Sequence, residues 1–190
     1  MYKAIIFDFF GVIKTDQYEN WLQSRGYERT GAFAHASQDA DSGNISMEEF
    51  FERLGRLSNQ TTQDVKAQYY TDDTINNEII ALIKTLRHHY RLALLSNSNS
   101  AYLRGILKQY ALEPLFDEII ISGEIGLTKP GKEIFNYTLH KLNMNYDEVI
   151  FIDDRQENII AAERLGIRSL LFTHADKLTH DLEGLHITLS

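Results

Sequence analysis

The chain contains no cysteine, which excludes disulfides, thiolate zinc sites and thiol nucleophiles and leaves oxygen or imidazole as the only donors for a metal. Positive charge is also scarce: 19 Lys and Arg stand against 27 Asp and Glu, a formal charge of −8. Such a balance gives no broad attraction to nucleic acid or to an anionic membrane. No apolar run approaches the roughly 18 residues of a membrane span, and the first residues, MYKAIIFDFFGVIKTD, meet acid too soon for a secretory hydrophobic region. No histidine spacing of the HExxH kind points to zinc. The expectation is a cytoplasmic protein with neither nucleic acid nor membrane as partner. Its 190 residues suffice for one domain carrying a modest insertion, burying roughly 70% of the unfolded surface without staples. Nothing in the composition speaks to oligomeric state.

Against those absences stand five short apolar runs bounded by polar or turn residues, at 3–7 (KAIIF), 91–95 (RLALL), 118–121 (EIII), 149–152 (VIFI) and 169–172 (SLLF). Continuous apolar runs of this length read as strands buried on both faces. Helical patterns separate the last four: 101–110, 131–142 with Pro130 suited to its first turn, and 158–165 ended by Gly166. Alternation of strand and helix predicts an α/β fold, a doubly wound, Rossmann-like parallel sheet. The first two strands break the rhythm, because the chain between them is mostly helical and too long for a simple crossover. Residues 14–76 are therefore expected to form a helical cap inserted into a core of residues 1–13 and 77–190, with the amphipathic helix 77–89 leading back to the sheet.

Within that insertion the stretch QDADSGNISMEEFF has the spacing of a calcium loop, with Gly43, Ile45 and Glu49 at the glycine, apolar and final glutamate positions. The ligand positions hold Gln38, Ala40 and Ser42, which cannot supply the carboxylates. A turn at Gly43 and a capping box from Ser46 to Glu49 account for the same letters.

In an open parallel sheet, ligands sit beyond the carboxyl ends of the strands. The first run ends in Asp8, with Gly11 three positions on, a carboxylate on a rigid mount followed by a sharp turn. The second ends in Ser96 and Asn97, hydroxyl and amide groups at a helix entry, where free N–H groups favour an oxyanion. After the third comes Lys129, just before a helix, where the helix dipole favours anions rather than a cation. The fourth ends in Asp153 and Asp154, adjacent acids that repel unless a cation relieves them, and an oxygen-only set of this kind suits Mg²⁺.

Those four segments, IIFDFFGV, LLSNS, GLTKPGKEIF and FIDDRQENIIAAERLGI, resemble in order and spacing the motifs of the haloacid dehalogenase superfamily. The likeness is closest to its phosphatase-like branch with a small helical cap between the first and second motifs, and it spans nearly the whole chain. The resemblance implies a sheet in the order 5-4-1-2-3 and a phosphatase acting on a small phosphorylated metabolite through a phosphoaspartyl intermediate. It implies that Asp8 is the nucleophile, that Ser96 and Asn97 bind phosphoryl oxygens and that Lys129 holds nucleophile and phosphate together. Mg²⁺ would be held by Asp8, by Asp154, by Asp153 directly or through water, and by the backbone carbonyl of Phe10.

One position departs from the pattern. Hydrolases of the superfamily usually carry an acid two residues after the nucleophile, which protonates the leaving group; here that residue is Phe10. Three readings follow: a phosphatase whose proton comes from His35, Asp39 or Asp16 of the cap or from water; a weakly active protein that binds a phosphorylated ligand or a partner; or a 2-haloacid dehalogenase, whose halide leaves without a proton but which has no use for a metal pair. Tyr18, Trp21 and Phe9 are candidates for an apolar wall over the substrate or for the cap's own core. Lys14 and Asp16 follow the turn after the first strand and lean toward the pocket mouth by analogy alone, and His88 and His89 read as solvated residues at a helix end.

Overall fold

The computed structural model describes residues 1–71 and 73–189. Strands β1 (Ala4–Phe7), β2 (Arg91–Ser96), β3 (Glu118–Ile121), β4 (Val149–Asp153) and β5 (Arg168–Leu171) form one sheet in the order β3-β2-β1-β4-β5. All four pairings are parallel. This is the expected order, read from the opposite edge. Side chains alternate between the two faces of a strand, and β1 shows why its run is apolar throughout. Ile5 and Phe7 join one core cluster with residues of α5 (Asn77–Leu86), α6 (Ser100–Gln109) and α10 (Ala175–Gly184). Ala4 and Ile6 join a second cluster with residues of α8 (Lys132–Leu142) and α9 (Gln156–Arg164). Fully burying a side chain of this size contributes about 1.5–3 kcal/mol, so the sheet's stability rests on these layers and not on its polar edge.

Between β1 and α5 lie four further helices, α1 (Gln17–Gln23), α2 (Gly31–Asp41), α3 (Met47–Ser58) and α4 (Thr62–Tyr69). They bury Trp21, Phe50, Phe51, Leu54 and Val65 in a cluster of their own. The chain enters and leaves this segment at one place: Lys14 bridges Phe10 and Ile75, Thr15 donates to the Thr74 carbonyl and Asn76 to the Ile13 carbonyl. A short helix, α7 (Ser122–Ile125), follows β3 directly. No helix among the described residues is long and apolar enough to cross a membrane.

Several boundaries differ from the sequence expectation. Gly131 caps α8, so Pro130 lies outside the first turn. Helix α5 stops at Leu86, where a polar run begins that offers no face to bury. Helix α9 begins at Gln156, two residues ahead of its expected start, which brings Asn158 into its first turn. Helix α10 escaped the sequence reading, although Leu178 and Leu182 carry its buried face. Gly43 makes the expected turn, at φ +76°. Ser46 caps α3 by accepting from the Glu49 N–H at 3.1 Å, while the Glu49 side chain pairs instead with Arg53.

Candidate active site

Sheet register brings the site together. Phe7 lies opposite Leu94 on β2 and Ile152 on β4, so one residue further on Asp8, Leu95 and Asp153 come level across three central strands. The Lys129 ammonium donates to one oxygen of each: Asp8 Oδ1 at 2.7 Å, the Leu95 carbonyl at 2.9 Å and Asp153 Oδ2 at 2.7 Å. An ammonium has three protons, and all three are used. This is why a lysine stands before α8 against the helix dipole: its side chain serves the sheet, not the helix. Asp153 is wholly buried, and its carboxylate accepts further from the Arg155 N–H at 2.8 Å and from Asn158 Nδ2 at 2.9 Å. Asn158, which sequence reasoning missed, is delivered by the early start of α9.

Asp154 differs from its neighbour. Its Oδ1 is buried without a hydrogen-bond partner among the described residues, and oxygens of Asp8, Asp153 and Asp154 all lie within 4.8 Å of one another. Gly11 (φ +86°) lets the backbone close over it; a Cβ there would stand 2.1 Å from Asp154 Oδ2. Three carboxylates thus crowd around an ammonium bonded to two of them. Burial pushes the Asp8 carboxyl well above its ordinary range, with Lys129 opposing and Asp153 and Asp154 adding to the rise. Burial and Asp153 push Asp154 up to about 6. Burial alone would pull Lys129 down, but Asp153 and Asp8 outweigh it and hold the ammonium charged. An oxygen-only donor set with excess negative charge and one orphaned oxygen fits a hard divalent cation.

Ser96 ends β2 wholly buried, and its Oγ has no partner among the described residues. The Asn97 side chain is engaged elsewhere: Nδ2 donates to the Lys129 carbonyl at 2.8 Å and Oδ1 accepts from the Lys129 N–H at 2.9 Å. It clamps the loop after β2 to the loop before α8 and so aims Lys129. Phe10 follows Asp8 by two residues. Its ring stacks on Tyr102 with centroids 6.0 Å apart and planes 2° from parallel, and the Tyr102 hydroxyl donates to Gln17 Oε1 at 2.7 Å. An acid at this place would lose that apolar seat.

A cavity opens between the sheet edge and the four-helix segment, lined on the core side by Phe10, Asn97, Ser98 and Tyr102 and on the other by Asp16, Tyr18, Arg29, Asp41 and Phe50. Of the proposed wall residues only Tyr18 reaches it. Trp21 packs in the four-helix core and Phe9 in the sheet core, as a small cluster with its own interior requires. The proposed proton donors are placed less favourably. His35 is exposed and Asp39 pairs with Arg53. Asp16 caps α1 through the Glu19 N–H at 3.0 Å and pairs with Arg29 at 2.9 Å. Lys14 does not reach the pocket mouth: it is buried in the linker and paired with Asp73. His88 and His89 fall at the amino edge of the sheet, between α5 and β2 and far from this end. Asp41, at the last position of α2, went unnoticed in the sequence because it read as part of a loop. Burial pushes its carboxyl up to about 7, with Arg29 opposing and Asp16 adding to the rise.

Residues 5–172 match the family described as Haloacid dehalogenase-like hydrolase. The chain is 27% identical to D-ribitol-5-phosphate phosphatase of Bacteroides thetaiotaomicron over 89% of its own length and 91% of that protein. Its match to drimenol cyclase drtB of Aspergillus calidoustus, 37% identical over 71 residues, spans only 13% of that relative. Among solved structures, a predicted HAD-like family hydrolase from Porphyromonas gingivalis superposes with a TM-score of 0.77 at 26% identity, covering 99% of each chain. A HAD family enzyme from Bacteroides thetaiotaomicron, solved in complex with magnesium and inorganic phosphate, superposes with a TM-score of 0.73 at 22% identity over 95% of this chain and 98% of that one.

Proposed function

The chain belongs to the haloacid dehalogenase-like hydrolases, and from that premise we propose that it is a Mg²⁺-dependent phosphatase of small phosphorylated metabolites, with residues 14–76 as a cap over the core. The observation that carries this reading is Lys129 bridging Asp8 and Asp153 beside the orphaned Asp154 oxygen. The similarity to D-ribitol-5-phosphate phosphatase over nearly the full length of both proteins supports it.

Asp8 Oδ attacks phosphorus, and the ester bond breaks toward the leaving oxygen; water then attacks the aspartyl phosphate and releases inorganic phosphate. The carboxylate and the phosphate are both anions, and Lys129 stabilises the first while facing the second. The Ser96 hydroxyl, unpartnered at the strand end, donates to a phosphoryl oxygen, and Asn97 contributes its backbone N–H because its amide holds Lys129. Asp8, Asp153, Asp154 and the Phe10 carbonyl would hold Mg²⁺, which would supply charge to offset the repulsion of two anions meeting in line.

The test is release of phosphate from p-nitrophenyl phosphate with Mg²⁺ and with chelator. The expected result is turnover that requires the metal and disappears in Asp8→Asn, whose amide keeps the shape but cannot attack phosphorus, with the melting temperature little changed. Turnover indifferent to Mg²⁺, or retained in Asp8→Asn, would overturn the reading.

A further inference from the structure

Phe10 can neither give nor take a proton, and general acid-base help is typically worth 10² to 10⁴ in rate, so a phosphatase with this sequence needs a donor from elsewhere. The α2–α3 turn is pressed against the core loops at three points. The Asp41 carbonyl accepts from Ser122 Oγ, and that same oxygen accepts from the Ser98 N–H at 2.9 Å. Asn99 Nδ2 donates to the Ile45 carbonyl at 3.3 Å. Gly43 comes so close to the Gly123 carbonyl that a Cβ would stand 2.8 Å from it. These contacts seat Asp41 one hydroxyl away from the loop that carries Ser96 and Asn97. Asp41 lines the cavity that Phe10 also lines, and among the described residues no hydrogen bond or ion pair engages its carboxylate.

We infer that Asp41 is the proton donor to the leaving oxygen and the proton acceptor from the hydrolytic water, the role that Phe10 leaves vacant; the inference rests on the phosphatase reading. In the first step Asp8 forms its bond to phosphorus, the bond to the leaving oxygen breaks with its electron pair, and that oxygen takes the proton of the Asp41 carboxylic acid. In the second step water forms the new bond to phosphorus and passes its proton to the Asp41 carboxylate. The bond to Asp8 breaks with its pair returning to the carboxylate, and inorganic phosphate leaves with Asp41 protonated again. A carboxyl whose affinity for protons is raised by burial to about 7 holds the proton in the first step and can take it back in the second. The charged groups that act on it are Arg29 and Asp16 from the cap side and Arg155 and Lys129 from the core.

The experiment compares wild type with Asp41→Asn on p-nitrophenyl, phenyl and benzyl phosphate in Mg²⁺, resolving the first turnover from the steady state. The variant is expected to release p-nitrophenol in a burst at near wild-type rate and then slow, with phosphate accumulating on Asp8. On benzyl phosphate, whose leaving group needs the proton, its first step should fall by roughly 10²-fold or more. Asp39→Asn, on the Arg53 side of the same helix, should change neither. Equal losses on all three esters, or no loss and no burst, would overturn the assignment of Asp41 while leaving the phosphatase reading intact. If wild type released phosphate from none of the esters, the phosphatase reading would fall and this inference with it. Should Asp41→Asn not fold, the wild-type pH profile decides. A first step on benzyl phosphate that falls above about pH 7 while that on p-nitrophenyl phosphate stays level supports Asp41, and parallel profiles overturn it.

Discussion

The polar edge depends on Lys129, because among the described residues its ammonium is the one cation bonded to the buried carboxylates of Asp8 and Asp153. Removing one partner of a buried pair leaves the other uncompensated, at a cost of about 3–5 kcal/mol. Lys129→Met is therefore expected to lower metal-free stability by that order at neutral pH, and less at acid pH, because burial already raises the hold of the Asp8 carboxyl on its proton. Denaturant unfolding at the two pH values checks this, and an equal loss at both would show that packing, not charge, explains it. The residue types at this site were legible in the sequence; their bonds were not. The sequence placed Asn97 at the site but did not show the bonds by which its side-chain amide holds the Lys129 backbone. Asp39 and Asp41 differ by two positions on one helix, yet one pairs with Arg53 and the other lines the cavity.

At the scale of elements, the close approach of the loops after β2 and β3 depends on Gly123. It has an ordinary helical conformation, but a Cβ there would stand 2.8 Å from the Ser98 carbonyl and 3.0 Å from the Ser100 nitrogen. Both neighbours are backbone, so neither yields cheaply. Gly123→Ala should cost about 1–3 kcal/mol and shift the Ser122 hydroxyl that ties Asp41 to Ser98. Gly105, inside α6, has nothing within 4 Å of its would-be Cβ, and Gly105→Ala should stabilise by about 0.5–1 kcal/mol through helix propensity. Thermal melts of the two variants, moving in opposite directions, separate contact from propensity. The sequence announced α5, α6, α8 and α9 through apolar spacing and the start of α3 through Ser46. It did not announce which turns touch.

For the whole molecule, the crowded carboxylates couple stability to pH and to metal. Asp154 binds its proton more tightly in the folded protein, at about 6, than at its ordinary value of 3.8. The folded state therefore holds more protons than the unfolded chain between those values, and stability falls as pH rises through them. Asp154→Asn removes this dependence. In chelator, the variant should gain stability over wild type progressively from about pH 4 to pH 6 and level off above, by about 2 kcal/mol once the water-exposed part of the carboxylate is discounted. Mg²⁺ binds the folded protein and should reverse the ranking, raising the wild-type melting temperature most at neutral pH and the variant's little. A stability difference independent of pH, or equal metal shifts in both proteins, would place the charge strain elsewhere.

The sequence by itself determined the sheet and the residue types at its carboxyl edge, because a strand buried on both faces needs an unbroken apolar run and the polar residue that ends such a run must stand at the rim. It also determined that a long segment separates the first strand from the second, through the length of chain between apolar runs. Only the tertiary structure decided what each rim residue does. The Lys129 bonds cross 121 residues to Asp8 and 24 to Asp153. The seat of Asp41 depends on a hydroxyl 81 residues away. Apolar periodicity is a local property that a few neighbouring letters carry. The direction in which a side chain points across a cleft is set by the register of distant strands and the packing of distant turns, which neighbouring letters do not contain.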